Sequence, residues 1–307
     1  MINDRVNKII YIPPALTIQT VTGVIAKLNN FLTSNENNII ISFSHTTYAA
    51  PAGLTVLLCY LRELPRRKKN FQGAIIHSND KFTDTLISRM GFYNLLGMKD
   101  DFDLNAVEFE LFKELYCFNT STPEEEIITL NEKIIYNFTK QSTNDNYRKA
   151  LSWCIPELVD NARTHSHAKE CVLFAQKHHR SNYTEFCIAD YGLGILNTMG
   201  DSDIETALTR CISQAKGIHS EGMGNGLYFT TKLIKNDRSK GKSYLNIWSG
   251  NAMLQVNSGQ APEIIKLNSY WHGTVVTLVL SNNIESSIEA IKGTEVELTE
   301  DLPNFFF

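Results

Sequence analysis

The feature that most constrains this chain is an alternation of short apolar runs with helical repeats between residues 39 and 98. "IIISF" (39–43) is a continuous apolar run of the length of a buried strand. "SHTTYAAPAGLTVLLCYLRELPRRKKN" opens as a loop and turns into a helix, because Leu54, Leu57, Leu58 and Leu61 recur at helical spacing. The basic run Arg66 to Lys69 closes that helix, where cations suit the negative end of the dipole. "GAIIHS" (73–78) is a second strand, and "KFTDTLISRMGFYNLLGM" reads as helix, glycine break and short apolar segment. Strands alternating with helices over so short a stretch predict a small α/β domain.

A different pattern begins near 119. "NTSTPEEEIITLNEKIIYNFTKQ" carries hydroxyl residues, a proline and then glutamates, the signal of a helix start. A second helix is predicted over roughly 145–166. "KECVLFAQKHH" and "YTEFCIAD", separated by "RSN", suit a hairpin. After a loop-rich stretch through 221, "GNGLYFTTKLIKND" reads as a helix opening on glycines. Three strand-like runs follow: "SYLNIWSG", "AMLQVNS" and "HGTVVTLVLS". The expected architecture here is an α/β sandwich, a mixed sheet with helices on one face. At 307 residues the chain has the length of about two domains. No internal repeat or long low-complexity tract interrupts them.

Composition narrows the function classes. With 43% hydrophobic and 20% charged residues, the chain is expected to be a soluble globular protein. A net charge of −4 argues against nonspecific nucleic-acid binding, since phosphate backbones select basic proteins. No apolar run has the ~18–20 residues of a membrane span, and the N-terminus lacks the apolar core of a signal peptide. Cys59, Cys117, Cys154, Cys171, Cys187 and Cys211 sit in apolar strings without a C-x-x-C pair, so they are expected as reduced core thiols of a cytoplasmic protein. The histidine clusters at 165–167 and 178–179 have no partner ligands at zinc spacing.

Chemistry concentrates in "CIPELVDNARTH" (154–165), where Glu157 and Asn161 stand four apart. On a helix such residues face one spot. Tyr147, Leu151, Ile155, Leu158 and Ala162 mark the face that packs on a sheet, and Pro156 is expected to kink the helix just before Glu157. "ADYGLGI" (189–195) then ends a strand on an aspartate and two glycines. "EGMGNGL" (221–227) alternates three glycines at a helix start, and "HGTVV" (272–276) leads the last strand. Each piece alone reads as a polar helix face, a tight turn or a loop hinge. Their order on these elements is the stronger signal. A Rossmann fingerprint does not fit, because no apolar strand precedes the glycines and the spacing is not G-x-G-x-x-G.

This order resembles the GHKL superfamily of Bergerat-fold, histidine-kinase-like ATPases over residues 120–283. "ELVDNARTH" is similar to its asparagine box, "DYGLG" to its first glycine box, "GMGNGL" to its second, and Gly273–Thr274 to its final pair. The resemblance implies ATP and Mg²⁺ as ligands. Asn161 would hold Mg²⁺ through its side-chain oxygen, and Glu157 would orient or deprotonate the attacking nucleophile. Asp190 would accept a bond from the adenine amino group, with Thr274 in support and Gly192 and Gly194 letting the backbone turn close to the base. Gly222, Gly224 and Gly226 would present N–H groups and a helix start to the phosphates. Residues 196–221 would be a mobile lid, in which Lys216 and His219 are candidate γ-phosphate contacts. Asp160 is expected to bond locally and His165 to be a polar helix-end residue. Thr164 stands where sensor kinases often carry a cation, and "NARTH" is closer to anti-sigma-factor serine kinases.

Residues 39–98 resemble a STAS domain, the fold of anti-sigma-factor antagonists. Ala50, Pro51 and Ala52 stand where that family has its aspartate and two serines, so its usual phosphoacceptor is absent. The expected organisation is a STAS-like domain over 1–105, a linker over 106–118, an ATP-binding domain over 119–283 and an acidic tail over 284–307 ending in three phenylalanines. The STAS-like domain or the tail would contact a protein partner, a homodimer is left open, and the domain pairing suggests a bacterial source. Two functions fit: an enzyme that hydrolyses ATP or phosphorylates a partner's hydroxyl, or a nucleotide-gated interaction switch with little turnover.

Overall fold

The computed structural model describes residues 8–98, 115–178, 180–213, 225–239 and 242–293. Its elements in the first part are β1 (Lys8–Tyr11), β2 (Ala15–Leu16), α1 (Ile18–Thr33), β3 (Asn38–Ser42), β4 (Tyr48–Ala49), α2 (Pro51–Arg67), β5 (Gln72–Ile76), α3 (Lys81–Arg89) and α4 (Phe92–Leu95). Strands β1, β3 and β5 form a parallel sheet in that order, and β2 pairs with β4 beside it. Two successive crossovers moving in one direction across a parallel sheet, both right-handed, put α1 and α2 on the same face. The first helix, absent from the sequence expectations, starts on a reciprocal Thr17–Thr20 capping box and buries Val21, Val24, Ile25, Leu28 and Phe31.

The second part runs β6 (Tyr116–Phe118), α5 (Glu124–Thr139), α6 (Asp145–His165), β7 (Cys171–His178), β8 (Tyr183–Asp190), α7 (Gly194–Met199), α8 (Ile204–Cys211), α9 (Gly226–Asn236), β9 (Tyr244–Asn257) and β10 (Glu263–Ser281). Its sheet has the order β6-β7-β8-β10-β9 and every pair is antiparallel, so the expected mixed sheet is corrected. The reason is connectivity. β7–β8 and β9–β10 are hairpins, and β10 returns beside β8 in the opposite direction. The two strands expected within 243–258 are one, Tyr244–Asn257, continuous through Gly250 at φ 60°. α6 is a single helix past Pro156.

Helices cover both faces of this sheet, which corrects the one-faced expectation. Leu173, Phe186, Ile188, Leu245, Ile247, Leu278 and Leu280 share a core with Leu151, Ile155 and Leu158 of α6 and Leu233 and Ile234 of α9. The alternate positions Val172, Phe174, Cys187, Ala189, Trp248 and Val275 share a core with α1 and α2. The molecule is therefore layered as small sheet, α1–α2, large sheet, then α5, α6 and α9. All six cysteines are free thiols, four of them buried.

The segment boundaries also differ from those expected. Tyr116–Phe118, assigned to the linker, pairs with β7. Ile284, Ile288 and Ile291, assigned to the tail, are buried in the α6 core. The described part of the expected lid, 196–213, is mostly helical: it holds the end of α7 and all of α8, and Ala207 and Leu208 are fully buried. Lys216, His219, Gly222, Gly224 and the terminal phenylalanines lie outside the described residues. Among the described residues no helix is long and apolar enough to cross a membrane.

Candidate functional site

Strand β8 ends at Asp190 against a bulged stretch of β10. The register of β10 on β9 shifts on either side of Trp271, and the irregularity brings Gly273 onto Asp190. A Cβ at Gly273 would lie 2.4 Å from Asp190 Oδ1, so only glycine fits. Gly192 is equally constrained, because a Cβ there would lie 1.9 Å from the Ser166 carbonyl oxygen. Gly194 is left-handed, at φ 74°.

Asp190 is 3% exposed. Its Oδ1 accepts from the amides of Gly192 at 2.9 Å and Thr274 at 3.3 Å. Its own carbonyl accepts from Trp271 Nε1 at 2.8 Å. Burial nevertheless outweighs the two amides and pushes the carboxyl up to about 7. Beside it opens a cavity of about 650 Å³. Asp190, Asn161 and Thr274 line it among apolar side chains that include Leu158, Ile188, Met199 and Val276.

Glu157 stands one turn before Asn161 on α6, and both are half-buried. Burial raises the Glu157 carboxyl above its ordinary value, helped by Asp160, while Lys292 pulls it down. That lysine holds its Nζ 3.6 Å from the centre of the Trp153 ring, one turn before Glu157. The start of α9 meets the same carboxylate: a Cβ at Gly226 would lie 2.3 Å from Glu157 Oε2. Asp160 is exposed and accepts the Thr164 hydroxyl at 3.2 Å, the local bond expected of it.

The structure thus brings Asn161, Asp190 and Thr274 to one cavity. Gly192 and Gly194 turn the chain after Asp190, and Glu157 meets Gly226. Five further participants were not read from sequence. Ser166 receives the Leu193 amide at 2.8 Å, and Ser249 Oγ links the Ile195 amide to the Gly273 carbonyl. Thr198 and Arg210 line the cavity, Arg210 paired with Asp201. Trp271 fastens Asp190 from behind. Only the hydrophobic repeat of α8 could have signalled Arg210; the other four act through tertiary contacts with no local spacing. Among the described residues no cluster of three or more His, Cys, Asp or Glu side chains suits a metal held by protein alone. The chain matches no protein-family model, no curated protein and no solved structure.

Proposed function

We propose that this chain binds Mg-ATP and either hydrolyses it or transfers its γ-phosphate to a hydroxyl of a partner protein, as the GHKL resemblance implies. The observation that carries the reading is Asp190. A nearly inaccessible carboxyl, with both backbone amides on Oδ1, is costly to build unless its other oxygen serves a ligand. The apolar lining beside it suits a planar base whose exocyclic amine donates to that oxygen.

Asn161 has the donor chemistry to hold Mg²⁺, an ion that keeps water and phosphate oxygens among its ligands. When bound, the ion would neutralise charge on the phosphates. Glu157, with its raised proton affinity, would take a proton from the attacking hydroxyl or water. The start of α9 would turn its positive helix end toward phosphate oxygens.

The test follows γ-labelled ATP with Mg²⁺, separating free phosphate, labelled protein and intact ATP. Release or transfer that disappears in Glu157→Gln, with binding retained, is the expected result. Unchanged affinity in both Asn161→Ala and Asp190→Asn would refute the site. A second reading, a nucleotide-gated switch, draws on the packing of α2 along β8; bound but intact ATP would favour it. In either case the first part of the chain, with its STAS resemblance, is the side from which a protein partner would act.

A further inference from the structure

The first part of the chain reaches the back of the Asp190 segment through a short series of contacts. On α2, Ala52 donates its amide to Glu185 of β8 at 3.1 Å, Cys59 Sγ lies 3.6 Å from the Ala189 carbonyl, and Arg67 sits 4.3 Å over the Tyr191 ring. At a rise of ~1.5 Å per helical residue and ~3.3 Å per strand residue, Ala52 to Arg67 and Glu185 to Tyr191 span nearly equal lengths. The helix therefore lies along β8 up to the residue after Asp190. Tyr60, 1% exposed, meets Tyr191 edge-on at 5.5 Å and donates its hydroxyl to Asn29 Oδ1 of α1 at 2.7 Å. Asn29 Nδ2 donates in turn to the Tyr270 carbonyl at 2.8 Å. Tyr270 directly precedes Trp271, the residue bonded to the Asp190 carbonyl.

We propose that Asn29 and Tyr60 form a positioning clamp by which the first part of the chain sets the geometry of Asp190 and Thr274, and so the nucleotide affinity of the site. The clamp holds both strands that meet at Asp190. Tyr60 packs on the residue after Asp190, and Asn29 pins the bulged stretch of β10 that carries Gly273 and Thr274. Neither residue touches the cavity. They act through Tyr191, Trp271 and the main chain. Linkage makes the effect mutual: whatever displaces Asn29 from Tyr270 or Tyr60 from Tyr191 changes nucleotide affinity, and bound nucleotide holds those two contacts in place by the same factor. The affinity statement rests on the nucleotide reading above; the statement about Asp190 geometry does not.

The test uses the full chain with Tyr60→Phe, which keeps the ring and removes the donor, and Asn29→Ala. Asn29→Asp keeps the acceptor for Tyr60 and loses only the bond to Tyr270. Lys68→Met is the control: its ammonium binds the carbonyls of Phe31, Leu32 and Ser34 wholly within the first part. Hydrogen exchange is read at the amides of Gly192 and Thr274, the two donors to Asp190, alongside the melting temperature and ATP affinity. In Tyr60→Phe and Asn29→Ala, exchange at both amides should accelerate, and the Kd for ATP should rise roughly three- to tenfold with saturated turnover unchanged. Asn29→Asp should show the exchange change chiefly at Thr274. Lys68→Met should lower the melting temperature and move neither readout. Unchanged exchange in both clamp variants, or the same change in Lys68→Met, overturns the clamp. A wild-type chain that binds no ATP refutes the nucleotide reading, and the exchange comparison still decides the clamp.

Discussion

The buried carboxyl of Asp190 makes the stability of the unliganded protein depend on pH in an unusual direction. In the folded chain its proton is held up to about pH 7, whereas an unfolded aspartate releases it near the ordinary value of 3.8. Between these values the folded state carries a proton that the unfolded state lacks, so stability falls as pH rises. Above the folded value the loss is complete. The full difference is worth roughly 4 kcal/mol at about 1.36 kcal/mol per pH unit, and more than half of it falls between pH 5 and 8. Glu157, also raised, adds a contribution of the same sign. His272 opposes it, because burial and Arg67 lower its proton affinity and its contribution is lost as pH falls below the ordinary histidine value. Comparing the wild type with Asp190→Asn isolates the carboxyl, since asparagine has nearly the shape of the protonated acid. Urea unfolding at intervals from pH 5 to 8 should show the wild type losing about 2–3 kcal/mol relative to the variant across that range. Parallel pH profiles for the two proteins would refute the reasoning.

Three further outcomes can be checked directly. Gly273→Ala should abolish tight ATP binding while preserving the far-ultraviolet circular dichroism spectrum, because its Cβ would lie 2.2 Å from the Asp190 carbonyl oxygen. Glu185→Ala removes the acceptor of the Ala52 amide in the first turn of α2, whose N-cap Ala50 makes no side-chain bond. It should cost about 1–2 kcal/mol by urea unfolding, and Glu185→Gln less. Ile288→Ala, 4% exposed in the wild type, should cost about 2–5 kcal/mol in the same assay, whereas a solvated tail would give no change.

What was legible in the sequence follows physical range. α6 stood out because its apolar face, Glu157 and Asn161 repeat at helical spacing within one element. The β7–β8 hairpin was legible because "RSN" separates two apolar runs, with Asn182 taking a left-handed φ of 52°. The environment of Asp190 was not, since it depends on Trp271, 81 residues away, and on a bulge that no local pattern marks. α2 was half-legible. The stripe Leu54, Leu57, Leu58 and Leu61 announced one apolar partner. Ala52, Val56, Cys59 and Tyr60, which lie off that stripe, were the unread sign of a second. Its start was illegible for a related reason: a helix without a hydroxyl or carboxylate cap of its own borrows Glu185, 133 residues later.

That second partner bears on how the chain comes into being. Every residue of α2 from Pro51 to Leu61 is buried, one side against the small sheet and the other against strands that end at Ser281. During synthesis α2 leaves the ribosome about 200 residues before its second cover is complete. At translation rates of ~5–20 residues per second, that leaves a greasy helical face uncovered for roughly 10–40 s. The nascent chain must pass through this interval shielded by something other than its own sheet. A yield that rises with chaperone supply or slower, cooler expression would be the cellular trace of a helix shared by two sheets.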